Sequence, residues 1–183
     1  MQTLTFLLER MQTPLGQMLL VNDEQHRLRA LDWFDYDERM HELMRQQYKG
    51  VQVQLRETHV ASAAAQAMHA YFDGDLGAPD HLPTATGGTD FQREVWAALR
   101  AIPAGSTISD LELATRIGRP KAVRAVGLAN GANPISIVVP CHRVIGSNRA
   151  LTGYGGGLHR KRWLLTHEQA LPAEAQTMAL PGF

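Results

Sequence analysis

The stretch ISIVVPCHRVIG, residues 135 to 146, sets a thiol, an imidazole and a guanidinium on three consecutive residues, Cys141, His142 and Arg143. The thiolate is the reactive form of cysteine, and neighbouring positive charge favours it. Cys141 is also the only cysteine among 183 residues, so no internal disulfide can form. Two uses remain: an inert small side chain in a core, or a nucleophile. Glu168, downstream in KRWLLTHE, supplies a carboxylate able to orient an imidazole, which completes the set of groups that covalent chemistry needs. The apolar run Ile135 to Val139 predicts a buried strand, stopped by Pro140 because proline offers no ladder donor. Asn133 and Pro134 mark a turn just before it. Neighbours on an extended backbone point to opposite faces, so His142 reaches the sulfur only if the chain bends there or a water carries the proton.

Three helical patterns precede this segment. TDFQREVWAALRAIPAG (89 to 105) has capping-box spacing between Thr89 and Gln92, an apolar face of Phe91, Val95, Trp96 and Leu99, and Pro103 and Gly105 to end it. SDLELATRIG (109 to 118) and RPKAVRAVGLANGANP (119 to 134) follow, joined around Gly118, with Pro120 suited to the first position of the second helix. The pair reads as a helix-turn-helix, whose second helix is the element normally inserted into a nucleic-acid groove. That helix presents Ala122, Ala125, Gly127, Ala129 and Gly131 beside Lys121 and Arg124. Large polar readers of base edges are scarce, which disfavours sequence-specific major-groove recognition. Small residues instead let a backbone approach a narrow groove or a sugar-phosphate chain, with Arg124 long enough to reach between bases. Tight helix-helix packing is the plainer use of the same residues.

The N-terminal half has a different character. TLTFLLE (3 to 9), GQMLLVN (16 to 22) and LRALDWF (28 to 34) are strand-length apolar runs separated by short turns, which favours antiparallel neighbours. Helical spacing follows over 35 to 48 and 60 to 72. The five histidines of this half are scattered without cysteine partners, so they do not read as a zinc site. Residues 1 to 84 carry seven Lys/Arg against twelve Asp/Glu, whereas residues 85 to 170 carry eleven against five, so a formal net charge of zero hides an acidic and a basic half. A basic excess confined to one half suits either a nucleic-acid-facing module or a dipolar enzyme. HLPTATGGTD (81 to 90) reads as the linker, giving domains over 1 to 84 and 85 to 170 and a tail over 171 to 183. No run is long enough to cross a bilayer and the N-terminus lacks the pattern of a secretory signal, so a cytoplasmic location is expected.

The landmarks FQREVW, IPAGSTIS, GRPKAVRAVG, NPISIVVPCHRVIG, TGYGGG and KRWLLTHE, in this order between Phe91 and Glu168, resemble the methylated-DNA-protein-cysteine methyltransferases, most of all their bacterial stand-alone form. The resemblance implies an α/β N-terminal domain, ribonuclease H-like with a small antiparallel sheet plus helices. It implies a mostly α-helical C-terminal domain with a winged-helix-like helix-turn-helix. It further implies a monomer that works on double-stranded DNA without metal or organic cofactor, taking the alkyl group of 6-O-alkylguanine or 4-O-alkylthymine onto Cys141 in a single turnover. His142 and Glu168 would activate the thiol through a bridging water, and Asn133 would brace the turn before the active-site segment. Arg124 would fill the place of the extruded nucleotide, with Ser109, Asp110, Lys121, Ala125 and Gly127 on the DNA side. Tyr154, Gly155, Gly156, Lys161 and Trp96 would form the pocket, and the main chain at Cys141 and Val144 would read the exocyclic amine. Asp110 departs from the family pattern, which places tyrosine there; an ionised carboxylate repels phosphate and donates no hydrogen bond. Two rival readings stand beside this one: a cysteine hydrolase using Cys141, His142 and Glu168, and a damage sensor that binds without reacting.

Overall fold

The computed structural model describes residues 2–146, 151 and 153–171; the expected tail from 172 onward lies outside them. The chain divides into two compact units. One holds the residues up to Thr89 together with Pro134–Val138, the other Asp90–Asn133 and the described residues from Val139 onward.

In the first unit, β1 (Gln2–Thr13), β2 (Gly16–Asp23) and β3 (Leu28–Trp33) pair antiparallel in sequence order. The β1–β2 connection is two residues, and Gly16 takes φ 107°, a value that glycine accepts without steric cost. A fourth strand, β4 (Val51–Glu57), was not expected from the sequence; it lies parallel to β1, so the order is β3-β2-β1-β4 and the sheet is mixed rather than antiparallel. A parallel neighbour needs a crossover, and α1 (Asp37–Gln47) supplies it. Phe6 and Leu8 of β1, Leu19 and Val21 of β2 and Ala30 of β3 alternate onto one face, where Met40 and Met44 of α1 cover them. Burial of each such methionine is worth about 1.5–3 kcal/mol before entropy is counted. α2 (Ala63–Phe72) begins at Ser62, whose hydroxyl accepts from Ala65 N and also donates to the buried Glu9 carboxylate at 2.7 Å.

Two segments of this unit differ from expectation. Part of the expected linker is docked: Leu28 N donates to Pro83 O and Ala85 N to Leu28 O. The run 135–139 is not a strand. Leu31 N donates to Pro134 O and Ser136 N to Leu31 O, which makes a single parallel bridge at Ile135. The chain then turns, with Ile137 at φ 69°, a left-handed conformation that is strained for a β-branched residue and incompatible with an extended ladder. The apolar run is buried as expected, yet as an irregular turn.

In the second unit, α3 (Asp90–Arg100), α4 (Asp110–Arg116) and α5 (Val123–Gly131) are the three helices read from the sequence. Ser109 caps α4 by accepting from Glu112 N at 3.1 Å. Gly118, at φ 76°, ends α4 in a Schellman arrangement, with Arg119 N bonded to Ala114 O and Gly118 N to Thr115 O. Pro120 lies in the turn after it, and α5 starts three residues later than expected, at Val123. β5 (Ile108–Ser109) and β6 (Val144–Ile145) form a two-stranded parallel pair, and α6 (Leu158–His167) closes the unit.

Candidate active site

The residues that follow the irregular turn bend instead of extending. Cys141–Arg143 form one turn of 3-10 helix, in which Arg143 N donates to Pro140 O and Val144 N to Cys141 O. The chain bends here, yet His142 Nδ1 makes no hydrogen bond among the described residues, so the bend alone does not join imidazole and thiol and the route through a water stays open. Asn133 fixes where that turn starts: its amide Nδ2 donates to Val139 O at 2.8 Å, closing the loop that leaves and re-enters this unit. Cys141 is free and buried, at 9% exposure.

α6 brings the acid. Glu168 sits at the C-cap of this helix, and Gln169 takes φ 61° directly after it, so that Ala170 N bonds back to Leu165 O. His142 Nε2 lies 2.8 Å from Glu168 Oε2, with both side chains fully buried. Burial pushes the imidazole below its ordinary pKa against the pull of Glu168, so His142 is neutral at pH 7. A carboxylate only accepts, so Nε2 carries the hydrogen and donates it to Glu168. Nδ1 is then the basic nitrogen; it is buried and has no hydrogen-bond partner among the described residues.

Arg143 differs from expectation. Its guanidinium is directed at Glu168 rather than at the thiol: Nε donates to Oε1 at 2.9 Å, Nη2 to Oε2 at 3.0 Å, and Nη1 to Ile102 O at 2.6 Å. Burial alone would raise the Glu168 carboxyl, yet His142 and Arg143 outweigh it and hold the group well below the usual carboxylate range. The cation electrostatically coupled to the thiol is Lys161 of α6. Its Nζ donates to Val144 O at 2.6 Å and to Gly153 O at 3.0 Å. Burial lowers its pKa to about 8, opposed by attraction to Cys141 and Asp110, so the ammonium persists at neutral pH.

The remaining expected residues lie on several elements of this unit. The half-buried Tyr154 sets its ring edge-on to His142, centroids 6.5 Å apart. Gly155 is exposed, and Gly156 is buried with its carbonyl bonded to Arg160 Nη1. Val144 lies in β6, opposite Ile108 of β5, and this pairing holds Ser109 and Asp110 beside the active-site strand. Asp110 opens α4; burial raises its pKa, opposed by Lys161. Trp96 is buried and donates from Nε1 to Ala129 O at 2.9 Å, which ties α3 to α5. On α5, Arg124 and Ala125 are exposed and Gly127 half-buried, and Lys121 is exposed in the turn before it. Sequence reasoning missed Leu128, a large side chain exposed on the same helix. Among the described residues no group of three or more His, Cys, Asp or Glu is placed to hold a metal ion, and no helix is long and apolar enough to cross a membrane.

A lone thiol next to a buried imidazole–carboxylate pair, with a helix pair that exposes Lys121 and Arg124, defines a class. The sequence model of the 6-O-methylguanine DNA methyltransferase DNA-binding domain matches residues 90–170. A methylated-DNA--protein-cysteine methyltransferase of Salmonella typhimurium is 53% identical over 165 residues, covering 90% of this chain and 96% of that one. One from Mycobacterium bovis is 56% identical over 109 residues, 60% of this chain and 66% of its own. The solved structure of Mycobacterium tuberculosis OGT in complex with DNA matches with a TM-score of 0.71 at 38% identity, covering 94% of this chain and 99% of that one. This chain belongs to the methylated-DNA--protein-cysteine methyltransferases.

Proposed function

We propose that this protein repairs alkylated DNA by moving an alkyl group from the 6-oxygen of guanine, or the 4-oxygen of thymine, onto its own Cys141. The observation that carries this reading is the buried Glu168–His142 pair next in sequence to the thiol, with the Lys161 ammonium attracted to the sulfur. His142 Nδ1, acting through one water, takes the thiol proton, and Glu168 stabilises the imidazolium that results. Lys161 stabilises the thiolate. The thiolate attacks the alkyl carbon in line with the base oxygen; the sulfur-carbon bond forms as the carbon-oxygen bond breaks, and the oxygen keeps the electron pair. A thioether has no ready route back to thiol, so each molecule acts once.

The reactive carbon is hidden inside a duplex, so the nucleotide must be turned out of the stack. Arg124 takes its place, while Lys121, Ala125 and Gly127 let α5 approach the backbone without base readout. Tyr154, Gly155, Gly156 and the main chain at Val144 line the pocket, Asn133 braces the active-site turn, and Trp96 supports α5 from behind. The β3-β2-β1-β4 order with α1 as crossover supports a ribonuclease H-like topology for the first unit. The β5–β6 pair beside α4 and α5 supports a winged-helix-like reading of the second.

Intact-mass measurement after mixing with a duplex containing 6-O-methylguanine tests the proposal. One added methyl on the peptide holding Cys141, at one equivalent per protein, is expected, and Cys141→Ala should gain none. An unchanged mass would favour the binding-only sensor, and repeated turnover without thiol loss would favour the hydrolase.

A further inference from the structure

A helix that approaches DNA through small residues has no evident use for a leucine on its outer face, yet Leu128 of α5 is 72% exposed. Single exposed leucines are common and need no explanation alone. Here three observations coincide. Leu128 follows Arg124 by four residues, so the two side chains project from one stripe of the helix, one turn apart. Leu111 of α4, 52% exposed, is another of the large apolar side chains left exposed. Asp110 Oδ1 would lie 3.9 Å from a Cβ placed on Gly127, so the residues just before Leu111 and Leu128 meet and the leucines emerge beside that contact. The surroundings are also cationic. Lys121 and Arg124 form no ion pair among the described residues, and Arg116 and Arg119 lie on the same helix pair and its turn. Arg116 and Arg119 are paired with Glu112 and Glu94, so the charge left for a partner is that of Lys121 and Arg124. An apolar side chain one turn from such a cation complements a polyanion whose interior is a stack of apolar faces, not a greasy protein groove.

We infer that Leu128 is a second wedge, entering the minor groove of duplex DNA beside Arg124 and unstacking a base step next to the one from which the damaged nucleotide is turned out. This rests on the repair reading above. Four residues of helix advance about 6 Å, against about 3.4 Å per base step, so the two side chains reach steps one to two apart. Prying open a neighbouring step loosens the stack on the lesion, which lowers the cost of extrusion. Steps that unstack readily, TA and CA, resist a wedge least. Transfer should therefore run faster when such a step flanks the lesion, and Leu128 should be the source of that preference.

The experiment uses the full chain, duplexes holding 6-O-methylguanine with a 2-aminopurine reporter at the adjacent position, and 6-O-methylguanine as the free base. Leu128→Ala keeps helix propensity and should slow single-turnover transfer from duplex roughly tenfold, the scale of one truncated stacking side chain. It should also abolish the reporter's fluorescence rise and flatten the TA/CA preference, with free-base transfer unchanged. Leu128→Met should restore all three. An unchanged duplex rate and reporter signal in Leu128→Ala would overturn the wedge while leaving the repair reading intact. If the wild type gains no methyl yet brightens the reporter, and Leu128→Ala does not, the repair reading falls and the wedge stands as a DNA-binding device.

Discussion

Asp23 in the first unit and Glu168 in the second are both buried carboxylates gripped by arginine, each 2% exposed, and they differ in what completes their surroundings. Asp23 accepts from Gln25 N, Arg27 N, Arg27 Nε and Arg29 Nε at 2.8 to 2.9 Å, and Arg29 in turn donates to Tyr48 and lies over the Phe6 ring. Every oxygen is used, and the cluster holds a turn and a strand end. Glu168 is equally well bonded, but one of its partners is His142, whose Nδ1 has no hydrogen-bond partner among the described residues, and Lys161 nearby is held below its ordinary pKa. The same residue types close one network on itself and leave the other poised to accept a proton. Buried charge alone therefore does not mark a site; a buried network with an open end does.

Removing the carboxylate's charge should separate the two clusters most sharply. Glu168→Gln takes away the group that orients His142 and stabilises its protonated form, and should slow alkyl transfer by roughly 10²-fold at neutral pH in a single-turnover assay. Asp23→Asn leaves two arginines without their partner and should cost about 3 kcal/mol in denaturant unfolding, with the transfer rate of the folded protein unchanged. A large rate loss in Asp23→Asn would erase the distinction. Asp110→Tyr should raise the rate on duplex several-fold, since it removes a charge that repels phosphate and adds a hydrogen-bond donor, an effect of about 1 kcal/mol; an equal or lower rate would refute it.

The smallest effect is on the pH dependence of stability. Lys161 titrates near 8 in the folded chain and at 10.5 as an unperturbed side chain. Between these values the unfolded chain holds the proton that the folded one has released, so this group's contribution to stability rises with pH. Wild type compared with Lys161→Met by urea unfolding should show that positive slope between pH 8 and 10. For Glu168, whose folded pKa is also depressed, the slope has the same sign in a lower window: its contribution is present at neutral pH and is lost as acid takes the pH below 4.5.

Much of this was legible in the residues themselves. Cys141, His142 and Glu168 announced themselves by type, and three strands by their apolar runs. β4 was overlooked although VQVQL alternates, because an edge strand only half-buried on one face carries little apolar signal and its parallel pairing with β1 is set by contacts far away in sequence. The run at 135–139 was misread because burial, not extension, explains its composition; Ile135 bridges to Leu31, a long-range contact no local pattern encodes, and the chain then turns through the left-handed Ile137. Arg143 looked like the thiol's cation by adjacency, but a 3-10 turn rotates successive side chains by about 120°, which directs it to Glu168 instead.

Lys161 and Glu168 come from one helix and its cap, seven residues apart. An α-helix returns to nearly the same bearing after seven residues, within about 20°, so a single rod serves both the sulfur and the imidazole. That spacing works as a ruler. Adding or deleting one residue between them would swing one group through about 100° and disarm the protein without touching any reactive atom. Slipping in a whole heptad would restore the bearing and carry the acid about 10 Å out of reach.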